Sequence, residues 1–215
     1  MKTVVYTALA LTVASLGFGC SNLERSRDVG NPKTPPHTLA LQVCSSCHGM
    51  DGNSTSPNFP NLAAQTEPYI IEQLTSFRAH SRSDPAGFEY MWGLSRHLTD
   101  EQIKGLATYF SSQKLAALPV EDGEKQIAVG KDIFEHGVTE KNIPACSTCH
   151  GDQGQGNAPF PRLAGQHADY LKKQLLVFQR TDLRPEGAVM KVIAHDLTQQ
   201  NVENVAAYLQ TMSVK

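Results

Sequence analysis

Internal duplication constrains this chain more than any other feature. The pentapeptide Cys-x-x-Cys-His occurs as Cys44-Ser45-Ser46-Cys47-His48 and, 102 residues later, as Cys146-Ser147-Thr148-Cys149-His150. Each copy is followed by Gly-x-x-Gly (from Gly49 and Gly151) and by Phe-Pro-x-Leu (from Phe59 and Phe160). Tyr69, Gln73, Leu74 and Phe77 then match Tyr170, Gln174, Leu175 and Phe178 at an offset of 101. Met91, Leu98, Thr99 and Tyr109 match Met190, Leu197, Thr198 and Tyr208 at an offset of 99. An order-preserving match with so little drift marks one domain written twice. Each copy has about 80–90 residues, a size at which an apolar core alone is marginal, so a bound group has to supply part of the interior.

The motif itself names the group. In an exported chain, Cys-x-x-Cys-His reads as covalent attachment of haem c, with two thioether bonds and the adjacent histidine ligating iron. A thioredoxin-like thiol pair needs a strand–helix context that neither copy has. A single zinc site closed by both cysteine pairs is the other alternative. Against it, the pairs are far apart, and each carries its own histidine and its own copy of the longer pattern. Two covalently bound haem c groups are therefore expected, on Cys44, Cys47 and His48 and on Cys146, Cys149 and His150.

The opposite face of each iron decides between a carrier and a catalyst. Methionine is the partner that, with histidine, gives an electron-transfer haem of raised potential. The chain has five methionines. Met1 belongs to the leader, Met50 lies too close to His48 to reach the other face, and Met212 has Gln113 as its counterpart. Met91 and Met190 remain, each seven residues before the leucine that precedes the last helix. His97 and His195 compete as ligands, but they stand at unequal distances from Leu98 and Leu197, as surface histidines would. Pro60 and Pro161 are placed to offer a carbonyl to the imidazole N–H, the usual way of orienting a ligating histidine.

Local patterns are helical throughout. Pro68 opens an apolar stripe through Tyr69, Ile70, Leu74 and Phe77. Thr99-x-x-Gln102 is a capping-box pattern before Ile103, Leu106, Ala107 and Phe110, and Thr198 caps the twin with Val202, Val205, Ala206 and Leu209. No run alternates like a half-buried strand. The glycine-rich stretch 151–156 lacks the lysine and preceding strand of a phosphate loop and reads as a loop.

The fifth cysteine, Cys20, ends an uncharged apolar stretch running from Thr3 to Gly19 after Lys2, the form of an export signal. It points to a bacterial lipoprotein with lipidated Cys20, although Gly17 occupies a position where an aliphatic residue is usual. Cleavage after Gly17-Phe18-Gly19 to a soluble product and retention as an uncleaved anchor stay open. All three place the domains outside the cytoplasm, in the periplasm. The division is then 1–20 signal, 21–36 flexible tether, 37–113 first domain, 114–124 linker and 125–215 second domain. A formal net charge of −2 gives no reason to expect a nucleic-acid partner.

The ordered set, Cys-x-x-Cys-His-Gly, Phe-Pro-x-Leu, Tyr-x-x-x-Gln-Leu-x-x-Phe, methionine and a final Leu-Thr helix with Ala-x-Tyr, all present twice, resembles the cytochrome c4 family from Thr38 onward. The resemblance implies an all-α fold of two tandem class I cytochrome c domains related by a pseudo-twofold axis, with the haem propionate edges facing across it. It supports Cys44, Cys47, His48, Pro60, Met91, Cys146, Cys149, His150, Pro161 and Met190 as the haem-binding residues. It also implies a carrier with no catalysis of its own, moving electrons from a quinol-oxidising cytochrome bc complex to a haem-copper oxidase or a reductase. The alternative is the dihaem electron-acceptor subunit of a flavin- or quinone-dependent dehydrogenase. One departure concerns the entry helix. Gly130-x-x-x-Phe134 fits the family's close crossing, whereas the first domain has a shorter entry with Pro36 and Ala40 near the corresponding places. The second domain also inserts 137–145 before its motif.

Overall fold

A computed structural model describes residues 28–85, 87–120 and 123–213. The leader and Cys20 lie outside the described residues. Two helical domains follow one another, and among the described residues only isolated bridges stand in for strand pairing. No helix among them is long and apolar enough to cross a membrane.

The first domain opens with α1 (Pro36–Leu39), which runs through one wide π turn (Ala40–Cys44) into α2 (Ser45–His48). Then come α3 (Glu67–Arg78), a second π turn (Gly87–Met91), α4 (Trp92–Ser95) and α5 (Asp100–Ser111). The second domain has α6 (Glu124–His136), α7 (Ser147–His150), α8 (Ala168–Arg180), α9 (Ala188–Ala194) and α10 (Gln199–Thr211). Both final helices begin with the expected reciprocal cap. The Gln102 amide N–H donates to Thr99 Oγ1 at 3.1 Å, and that of Asn201 donates to Thr198 Oγ1 at 3.1 Å.

Apolar faces of the helices meet in matching cores. Leu39, Ala40, Ile70, Leu98, Ile103, Leu106, Ala107 and Phe110 close the first. Ile133, Phe134, Ala168, Leu171, Val205, Ala206 and Leu209 close the second. The inserted stretch 137–145 is more than a spacer. Val138 and Ile143 bond to each other's backbone, and buried Ile143 packs with Ala194, Leu197 and Val202.

The entry and final helices cross at contact distance in both domains, but the glycine that permits this has changed sides. A Cβ on Gly130 of α6 would lie 1.9 Å from the Asn204 carbonyl oxygen on α10. Asn204 matches Gly105 of α5, and there a Cβ would lie 2.4 Å from Pro36 Cγ on α1. Gly130→Ala gains up to about 1 kcal/mol of helix propensity, which overpacking of about 1–3 kcal/mol outweighs. A net loss of about 1–2 kcal/mol is expected, lowering the melting temperature of the second domain by roughly 5–15 °C. Calorimetry checks it; an unchanged or higher melting temperature would contradict the close crossing.

One boundary differs from the sequence reading, and the segment drawn as a linker is held to the domains it joins. The tether drawn over 21–36 is, from Asp28 onward, part of the first domain. Thr34 is buried, Val29 packs on the core, and Gln102 Nε2 donates to the Asn31 and Thr34 carbonyls at 3.1 and 3.0 Å. The stretch looks polar because much of its attachment runs through its backbone. The linker is likewise strapped down. Asn53 receives the Ala116 N–H at 2.8 Å and donates to the Lys114 carbonyl at 2.9 Å. Gln210 of α10 holds the Pro119 carbonyl at 2.9 Å.

Candidate functional site

Each Cys-x-x-Cys-His motif folds into a single short turn, so two thiols and an imidazole project from one small element. The described cysteines are all free. His48 Nδ1 lies 2.9 Å from the Pro60 carbonyl oxygen and His150 Nδ1 lies 2.8 Å from that of Pro161. The N–H at Nδ1 therefore donates to the carbonyl, which fixes the tautomer and leaves Nε2 with its lone pair. Phe59 and Phe160 present their edges to the two imidazoles at centroid distances of 6.1 and 6.0 Å, both at an interplanar angle of 69°. The carbonyl and the phenyl ring against each imidazole are thus repeated as faithfully as the motif.

Burial sets the protonation states. It pushes both imidazoles below the usual histidine range, toward the neutral form that a metal requires, and the proline carbonyls only partly oppose it. It pushes the Cys44 and Cys146 thiols up to about 11, so both are protonated at neutral pH. Met91 ends the π turn and Met190 lies in α9, each half-buried. His97 and His195 are exposed, and His195 is bonded to Asp196. Among the described residues no three His, Cys, Asp or Glu side chains converge as a shared zinc site needs. These features fit a haem at each motif: paired free thiols, a neutral oriented imidazole, and a half-buried thioether in each domain.

Between the domains lies a polar seam that the sequence reading did not identify. Its first part joins the two Phe-Pro-x-Leu loops. Asn61 N donates to Gln166 Oε1 at 2.8 Å while Gln166 Nε2 donates to the Asn61 carbonyl at 3.1 Å. The twin pair is Arg162 N to Gln65 Oε1 at 2.7 Å and Gln65 Nε2 to the Arg162 carbonyl at 3.1 Å. Asn61 and Arg162, like Gln65 and Gln166, are 101 apart in sequence, so these bonds obey a pseudo-twofold axis.

The second part joins the segments that carry the methionines. Buried Arg82 bonds Asp84 Oδ1 at 2.8 Å, Gln73 Oε1 at 2.5 Å and Gln174 Oε1 across the seam at 3.3 Å. Arg184 mirrors it, bonding Glu186 Oε1 at 2.9 Å, Gln174 Oε1 at 2.7 Å and Gln73 Oε1 across the seam at 2.9 Å. Each guanidinium lies over the phenyl ring of its own domain, Phe77 or Phe178, at 4.5 and 4.6 Å. The Arg82 carbonyl also accepts from Trp92 Nε1 at 2.8 Å, next to Met91. The Tyr, Gln and Phe repeated at an offset of 101 therefore include residues that build the joint. A repeated Arg-x-acid, Arg82-Ser83-Asp84 and Arg184-Pro185-Glu186, was the available signal for the rest.

Comparison with known proteins agrees with this geometry. The cytochrome c family model matches twice, over residues 37–114 and 127–213. Cytochrome c4 of Stutzerimonas stutzeri is 38% identical over 180 residues, covering 79% of this chain and 84% of its own. The thiosulfate dehydrogenase electron acceptor of Stutzerimonas stutzeri (strain A1501) is 35% identical over 185 residues, covering 82% of each. Among solved structures, the cytochrome c4 of Acidithiobacillus ferrooxidans superposes with a TM-score of 0.73 at 40% identity, covering 79% of this chain and 98% of that one. The chain belongs to the cytochrome c family, and within it to cytochrome c4. It is a dihaem electron-transfer protein of two all-α cytochrome c domains with two covalently bound haem c groups.

Proposed function

We propose that Cys44, Cys47, His48 and Met91 hold one haem and Cys146, Cys149, His150 and Met190 the other. Bound there, each haem supplies a one-electron iron couple. His48 and His150 would each ligate the iron through Nε2, while the Pro60 and Pro161 carbonyls restrain their rotation. Met91 and Met190 would each supply a thioether ligand to the iron, which would favour the ferrous state and keep small ligands out. No residue is assigned a catalytic role. The protein works in the periplasm between a quinol-oxidising cytochrome bc complex and a terminal oxidase or reductase, held to a membrane through lipidated Cys20. The repetition of the whole constellation in both domains, down to the imidazole–carbonyl bond, carries this reading.

A second reading has a specific observation behind it: similarity to an electron acceptor of thiosulfate dehydrogenase. In that case the donor is a periplasmic dehydrogenase, and the two domains pass its electrons onward.

Adding carbon monoxide to the dithionite-reduced holoprotein tests the ligation. An unchanged visible spectrum is expected, since both irons are closed by protein ligands; a shift in half or all of the haem signal would remove Met91 or Met190 as a firm ligand. Reduction by membranes given a quinol, against reduction by a dehydrogenase and its substrate, separates the two donors.

A further inference from the structure

Three arginines are buried at the seam, and only two have an acid. Arg82 pairs with Asp84 and Arg184 with Glu186. Arg162 is 1% exposed and tops the fully buried side chains by size. Its Nη2 donates to the Asn61 carbonyl at 2.9 Å and its Nη1 to the Ala164 carbonyl, while its buried Nε–H has no acceptor. No carboxylate of the described residues forms an ion pair with it. Burial pushes the guanidinium down to about 10, so it stays charged at neutral pH. A buried charge with no counter-charge is among the costliest things a fold can carry. The matching residue in the first domain is the neutral Asn61, so the repeat does not require a charge there.

The position of Arg162 indicates which anion would match it. It directly follows Pro161, whose carbonyl orients His150, and it lies where the two domains meet. A haem c group brings two carboxylates, its propionates. We infer that Arg162 is the counter-charge of a propionate on the second-domain haem, with Nε–H as the donor kept for it. This rests on His150, Cys146 and Cys149 being that haem's anchors. A cation held there also favours the ferrous state, so the same side chain biases the haem it pairs with more than the other.

Spectroelectrochemical titration of the holoprotein at neutral pH and low salt, as wild type, Arg162→Gln and Arg162→Lys, tests the pairing, with haem counted by pyridine haemochrome. Arg162→Gln is expected to raise the oxidised-to-reduced ratio of one haem roughly tenfold at fixed potential, with a smaller change at the other. Arg162→Lys restores most of the difference, because it keeps the charge while losing the span between the Asn61 and Ala164 carbonyls. Two bound haems with wild-type potentials in both variants would overturn the pairing. So would equal shifts in both variants, which would make Arg162 a clamp between backbones. A wild-type count of one haem would overturn the anchor assignment and the pairing with it.

Discussion

Met190→Ala protein is expected to keep both haems and to bind carbon monoxide at one of them. Covalent attachment and the His150–Pro161 bond are independent of the thioether, so the loss would be confined to one ligand of that iron. Without sulfur the ferrous state of that haem loses its better partner, and its potential is expected to fall on the order of 0.2 V, within the ~0.8 V over which axial ligands set haem potentials. Met91→Ala should produce the same change in the other domain. The readouts are the carbon monoxide difference spectrum, at half the amplitude of a fully open dihaem protein, and a redox titration with one wave displaced. If Met190→Ala leaves both the spectrum and the titration as in wild type, a different side chain closes that iron.

The second large effect is expected at the seam. Asp84 is 1% exposed and holds Arg82 through both carboxylate oxygens, at 2.8 and 3.2 Å. Asp84→Asn keeps the shape but leaves Arg82 buried without its acid, a change costing about 3–5 kcal/mol in buried pairs. Arg82 also holds Gln174, so the cost falls on the joint between domains, and faster proteolysis between 114 and 124 is expected. Acid should act in the same direction. Burial alone would raise the Asp84 carboxyl, but the Arg82 guanidinium, together with Arg184 and the Gln174 amide, holds the group below its ordinary value of 3.8. A carboxyl depressed on folding contributes stability that is present above that value and is lost as pH falls through the range beneath it. Wild type should therefore begin to loosen at its joint only as pH falls below about 4, and Asp84→Asn should already be loosened at neutral pH. Equal protease resistance of the two proteins at pH 7 would show that the pair contributes nothing to docking.

How much of this could be read in the sequence follows from how far each interaction reaches. The motifs, caps and helix stripes are local, and Thr99, Thr198, Ile103 and Val205 stand where their spacing places them. The imidazole–carbonyl bonds span only 11 or 12 residues, and Pro60 and Pro161 marked them. The seam was harder to see because its partners are 90 to 115 residues apart. A Gln73 that bonds Arg184 looks, in one dimension, like any polar helix residue. Asn61 opposite Arg162 looked like ordinary variation inside a repeat, and its consequence appears only when burial shows that the arginine has no acid. The attachment of the linker and of the residues after Asp28 was hidden for a related reason. Their attachment runs through backbone carbonyls held by Asn53, Gln102 and Gln210, and composition carries no trace of it.

The displaced glycine bears on how such a duplicated chain avoids tangling with itself. While both halves are unfolded, each entry helix has two similar final helices to choose from, on one chain and at high local concentration. If α1 docked on α10, Pro36 would meet Asn204 with no glycine on either side. If α6 docked on α5, Gly130 would face Gly105 across a gap. The correct pairs place one bulky surface against one bare backbone. The two crossings thus act as differently keyed locks, and the half that folds first cannot capture its sister's helix at no cost.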